Sequence, residues 1–92
     1  MRVRYYIDST TELPHIYNHE ISELEVEEVL KQPGEDRPGR EGSRIALGKT
    51  EEGRYLRVIY VPDPGPQSIF VITAYELEGK PLTSYKRRRR KK

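Results

Sequence analysis

Apolar and polar residues alternate along much of this chain with the two-residue period of strands. The longest such stretch, Ser43 to Glu78, reads as three consecutive strands. Ser43–Thr50 sets Ile45 and Leu47 against Arg44 and Ala46. Arg54–Val61 places Leu56, Val58 and Tyr60 on one face and Tyr55, Ile59 and Val61 on the other. Ser68–Glu76 sets Ile69, Val71 and Tyr75 against Phe70, Ile72 and Ala74. Apolar residues on both faces mark Arg54–Val61 as a central strand. Glu51-Glu52-Gly53 is a hairpin connection, with Gly53 positioned for positive φ. Pro62-Asp63-Pro64-Gly65-Pro66 must be a loop, because proline removes donors from a ladder. Short turns make the three strands an antiparallel meander.

Upstream, Met1–Asp8 alternates Val3, Tyr5 and Ile7 with Arg2, Arg4 and Tyr6, the pattern of a half-buried strand. Asp8-Ser9-Thr10-Thr11 is a turn-and-cap cluster, with Thr10 or Thr11 capping a short helix over Glu12–Asn18 and Pro14 in its first turn. The next helix has the sharpest start signal. Ser22 is the N-cap, Glu25 completes a capping box, and Ile21 and Val26 have the spacing of a hydrophobic staple. Its apolar stripe is Val26, Val29 and Leu30; Leu24 falls off the stripe and is expected to pack on the first helix. Gln32-Pro33-Gly34 ends it, and Gly34–Gly42 reads as a polar loop with nothing to bury. After a turn at Glu78-Gly79, a last helix from about Pro81 is docked by Leu82 and Tyr85. The expected fold is a single α+β domain over residues 1–79. It has a small antiparallel sheet, the meander plus the N-terminal strand, packed on one or two helices. Residues 80–92 form a basic C-terminal arm, partly helical or disordered, because Lys86–Lys92 repel one another.

Composition narrows the chemistry. Apolar residues are 34% and charged residues 35% of 92, so the core must be thin. With no Cys and only His15 and His19, no metal and no cofactor is expected. No apolar run approaches the ~18 residues of a membrane span, and Met1-Arg-Val-Arg leads straight into a strand with no signal-peptide core. A cytoplasmic protein without membrane contact is the expectation. Residues 1–79 carry nine Lys or Arg against all fifteen Asp and Glu, a net −6, whereas residues 80–92 carry eight cations and no acid, a net +8. A mildly acidic body with a strongly basic end points to a polyanionic partner, above all RNA.

Within that frame, His19 is the best candidate for a general acid or base, since it precedes a capped helix whose N-terminal dipole favours anions; the alternative is a residue that packs the corner between the two helices. His15 reads as a surface residue of the first helix. Arg44, Lys49 and Arg54 lie on adjacent strands and build a phosphate patch if they share a sheet face; otherwise they are a solvated face paired with Glu51 and Glu52. Arg57 is either buried and paired or part of the same patch. Tyr75 is read two ways, as a base-stacking residue or as core, and Tyr85 as an anchor of the arm. Lys86, Arg87, Arg88, Arg89, Arg90, Lys91 and Lys92 supply nucleic-acid affinity without sequence preference; the alternative is an interaction tail for an acidic protein or a solubilising terminus.

Three segments resemble the BrnT-like toxins of type II toxin–antitoxin systems, within the RelE/ParE-like set. They are Asn18-His19-Glu20-Ile21-Ser22 with Glu25–Leu30; Arg44–Thr50 through Gly53-Arg54 to Val58-Ile59-Tyr60; and Ile72-Thr73-Ala74-Tyr75 with Tyr85 and the arginine run. The resemblance implies a small α+β, metal-independent endoribonuclease acting on mRNA, on or off the ribosome, and neutralised by a cognate antitoxin. It also implies His19, Arg44, Lys49 and Arg54 as its site. The extra Tyr-rich first strand and the long basic end depart from that pattern. They leave open a non-catalytic RNA- or ribosome-binding module that uses the arm.

Overall fold

The computed structural model describes residues 2–65 and 67–90. Five strands form one mixed sheet: β1 (Arg2–Tyr5), β2 (Glu35–Pro38), β3 (Arg44–Lys49), β4 (Tyr55–Pro62) and β5 (Ser68–Glu76), in the order β1-β5-β4-β3-β2. Two helices complete the fold, α1 (Glu23–Lys31) and α2 (Gly79–Arg90). The α+β architecture and the antiparallel meander β3-β4-β5 are as expected, and β4 is central, as its two apolar faces require. No helix among the described residues is long and apolar enough to cross a membrane.

α1 starts as its sequence dictates. The Ser22 hydroxyl accepts from the Glu25 N–H (3.1 Å), and the Glu25 carboxylate accepts from the Ser22 N–H (3.1 Å). Val26 and Val29 pack with Ile16 and Ile21 onto Ala46, Leu56, Val58, Tyr60, Val71 and Ala74, which together form the main core. Leu24, expected to pack on the first helix, is 67% exposed and joins neither core cluster. On the opposite face, α2 runs from the end of β5 toward β2, seating Leu82 and Tyr85 against Ile45, Leu47, Tyr55 and Leu77.

Four features of the sheet and of the segment before α1 depart from the sequence reading. The supposed polar loop holds β2, an edge strand antiparallel to β3. It needs no apolar side chain because its backbone pairs with β3 and its acids are bound elsewhere: Asp36 accepts from the Tyr60 hydroxyl (2.5 Å) and Arg44 Nε (2.8 Å), and Glu35 accepts from Arg88. β1 pairs in parallel with β5, and only as far as Val71. The short first helix is a 3₁₀ turn over His15–His19, not a helix over Glu12–Asn18. The Asp8 carboxylate, accepting the Thr10 and Thr11 N–H groups (2.8 and 3.3 Å), holds the loop that precedes it. Finally, β5 carries a bulge. Ile59 pairs with Thr73 but Tyr60 with Val71, which leaves Ile72 as the extra residue. The bulge reverses the phase of the strand, so Ala74 joins Val71 in the core and Tyr75 emerges on the opposite face.

α2 extends through Arg90 rather than fraying at Lys86. Its four terminal arginines meet the negative end of the helix dipole. Arg88 pairs with Glu35, and Arg89 donates to the Gly34 carbonyl (2.9 Å). Those two contacts, one on β2 and one on the residue just before it, relieve the repulsion that would otherwise melt the last turn.

Candidate functional site

The predicted cations do not converge. Arg44 and Lys49 are five residues apart on β3, so they face opposite sides of the sheet, about 17 Å from end to end. Arg44 lies on the α1 face, committed to Asp36, which raises its pKa. Arg54 donates to the Glu20 carbonyl (3.0 Å), to both Glu25 oxygens (3.1 Å each) and to Glu76 (3.3 Å). Burial opposes its charge, but Glu25 and Glu76 outweigh burial and its pKa is raised. Arg54 therefore ties the corner that carries His19 to α1 and β5, with its charge matched by the Glu25 and Glu76 carboxylates.

His19 is exposed and lines a groove of about 560 Å³ with Glu20, Arg54, Tyr75, Glu76 and Glu78. Glu20, immediately after it, adopts φ +60°, a left-handed turn that caps the 3₁₀ segment and redirects the chain into α1. The rings run in a line. Tyr6 lies 6.0 Å from His15, His15 5.3 Å from His19, and His19 6.0 Å from Tyr75. The Arg57 guanidinium follows, 6.0 Å from the Tyr75 ring centre. His15 is not a free surface residue: its Nδ1 lies 3.2 Å from the Asp8 carboxylate, which also accepts from Asn18 (2.8 Å). The Thr10 N–H first, then His15 and Asn18, hold the Asp8 carboxyl down at about 2. No sequence spacing announces this Asp8–His15 contact, because a loop closure brings the two together.

A second site gathers the cations that are left. Lys49, Tyr55, Tyr85, Lys86, Arg89 and Arg90 surround a cleft of about 640 Å³ whose other wall is Gln32–Gly34. The Lys86 and Lys49 ammonium groups lie 5.0 and 5.6 Å from the Tyr55 ring centre, on a half-buried aromatic face. Tyr85 meets the Tyr55 ring edge-on at 6.0 Å and is itself only 4% exposed, so it anchors α2 and offers no stacking face. Tyr75 belongs to the histidine groove and not to this cleft. Arg87 is exposed on α2, Arg88 is held by Glu35, whose pKa that bond lowers, and Lys91 and Lys92 lie outside the described residues. Tyr55 was missed in the sequence as a site residue. Its place directly opposite Lys49 across the hairpin is the signal that marks it.

Fold and sites together define a small α+β protein with a cation-and-tyrosine cleft beside its last helix and a separate pair of imidazoles. Residues 16–76 match the family described as Domain of unknown function (DUF4258), and the chain belongs to that family. The match spans the main core with His19, Arg54, Arg57 and Tyr75, and ends before α2. No curated protein and no solved structure matches the chain.

Proposed function

We propose that the chain binds RNA, with α2 and the cleft beside it as the contact surface. The observation that supports this is the gathering of Lys49, Lys86, Arg89 and Arg90 around Tyr55 at the basic end of an otherwise acidic body. None of these four forms an ion pair with a carboxylate among the described residues; Arg89 is held by a carbonyl. Four such cations on a single strand give log K a slope of about −3 against log salt. The face of Tyr55 adds sequence-tolerant stacking. Fluorescence anisotropy with a short single-stranded RNA tests this. A Lys86→Ala/Arg90→Ala protein should show a slope shallower by about 1.4, and Tyr55→Ala should weaken binding by about 1–3 kcal/mol. Affinity that neither variant changes would remove the cleft from the contact.

The imidazole pair favours a second reading, a metal-independent endoribonuclease acting on mRNA as the toxin of a toxin–antitoxin pair, with a cognate antitoxin in the cytoplasm. Cleavage by the RNA 2′-hydroxyl needs one group to take a proton and another to give one. His15, oriented by Asp8, and His19, 5.3 Å away, have the chemistry for both roles. Glu20, Glu76 and Glu78 oppose it, because the groove they line repels phosphate. RNA binding without cleavage therefore ranks first. Turnover of a labelled RNA that disappears in both His15→Gln and His19→Gln would reverse that order. Turnover that survives both would remove the imidazoles from the chemistry.

A further inference from the structure

α2 covers only one end of the sheet face on which it lies. At the other end of β3 and β4, away from the cleft, Ile45, Arg57, Ile59, Val61 and Ile72 stay only partly buried around a hollow of about 390 Å³. Arg57 sits in its floor. Its Nε is shielded from solvent and has no hydrogen-bond partner among the described residues. Tyr75 engages the guanidinium face but supplies no acceptor in the plane of the fork. Glu35, the acid in line with Arg57 on the same sheet face, is committed to Arg88. A buried N–H without an acceptor is costly, and a cationic one more so. The hollow thus combines an aliphatic wall with a guanidinium that no carboxylate or carbonyl among the described residues bonds.

We propose that this hollow docks a protein segment presenting an Asp or Glu side chain flanked by aliphatic residues. A carboxylate matches the guanidinium fork in shape and charge. Ile45, Ile59, Val61 and Ile72 bury aliphatic side chains well and offer no ring on which a nucleobase stacks. Charge complementarity runs the same way at the rim, where Arg40 lines the opening. Glu41, also at the rim, disfavours a phosphate chain more than a single carboxylate.

Selection from a random peptide display library against the purified full-length chain tests the proposal. The expected consensus is one acidic residue between aliphatic ones. Arg57→Met should weaken selected peptides at least tenfold while melting no lower than the wild type, since it removes an unmet buried donor. Ile59→Glu, which supplies the carboxylate from within the chain, should weaken them similarly. Both variants leave Lys49, Lys86 and Arg90 in place, so RNA affinity should not change, and this site and the RNA cleft stand or fall separately. No enrichment, a consensus without an acid, or peptides that bind Arg57→Met as well as wild type would overturn the proposal. So would RNA, rather than peptide, shifting the methyl resonances of Ile59, Val61 and Ile72.

Discussion

Gly34 is the seat on which α2 rests, and adding one methyl group there tests how the basic helix is held. A Cβ at Gly34 would lie 1.8 Å from the Tyr85 hydroxyl oxygen and 2.9 Å from its Cζ. Tyr85 has little room to yield, because its ring is 4% exposed and packed on Leu47 and Leu77. Gly34 also donates to the Leu47 carbonyl (2.8 Å) and accepts from Arg89, so its backbone is held as well. Gly34→Ala should therefore cost about 1–3 kcal/mol, the range for an overfilled site. In a domain of this size that lowers Tm by roughly 5–20 °C. Tyr85→Phe removes the 1.8 Å contact and leaves the one at 2.9 Å, so alanine at Gly34 should cost less in that background. A coupling of about 0.5–2 kcal/mol is expected in the four-protein cycle. Thermal melts of all four proteins measure it. RNA affinity should fall with Gly34→Ala, because Lys86 and Arg89 move away from Lys49. An equal cost of Gly34→Ala with Tyr85 or Phe at the facing position, or no cost in either, would show that this contact does not hold α2.

Arg54→Ala should destabilise the chain by about 1.5–3 kcal/mol, toward the lower end because its side chain is 30% exposed. Arg54→Lys should recover only part of this in a urea melt, having one ammonium where a fork bridged two acids; an Arg54→Ala protein that melts like the wild type but loses activity would make Arg54 a working site residue instead. Asp8 titrates at about 2 when folded, below its ordinary 3.8, so its contribution is complete above about 4 and is lost as pH falls toward 2. Asp8→Asn should flatten that part of the acid melting curve, and coincident acid limbs for the two proteins would dismiss the Asp8 network. Tyr60 behaves in the opposite sense. Burial first, then its bond to Asp36, push it up to about 12 from 10, so its stabilisation holds below pH 10 and fades as pH rises through 12. Tyr60→Phe should cost about 1.5–3 kcal/mol at neutral pH and speed amide exchange in β2 before other strands, whereas uniform exchange would mean that this bond does not hold the edge.

Much of this architecture is legible in local pattern. The capping box, the staple and the Val26–Val29 stripe set α1 because they act within one or two turns of chain. β4 declares itself central because a strand with apolar residues on both faces must be covered twice. The charge contrast between body and end is a matter of counting, and it leads to the same basic surface that α2 presents. Parity along β3 already separates Arg44 from Lys49, and a patch joining them overlooks the two-residue period of a strand.

What remained hidden depended on partners distant in the chain. β2 is a strand because β3, Tyr60 and Arg88 bind its backbone and acids, not because of any pattern of its own. One extra residue at Ile72 turns Tyr75 out of the core and toward His19 and Arg57, and periodicity cannot show where a bulge falls. The contact of His15 with Asp8, the capture of Arg54 by Glu25 and Glu76, and the unmet Nε of Arg57 are likewise matters of assembly. Residue types and their spacing dictate which segments curl or extend, since those preferences are local. Which charges are spent inside the fold and which stay free for a ligand is settled only when non-adjacent segments meet, because a charge is neutralised by what lies nearest in space.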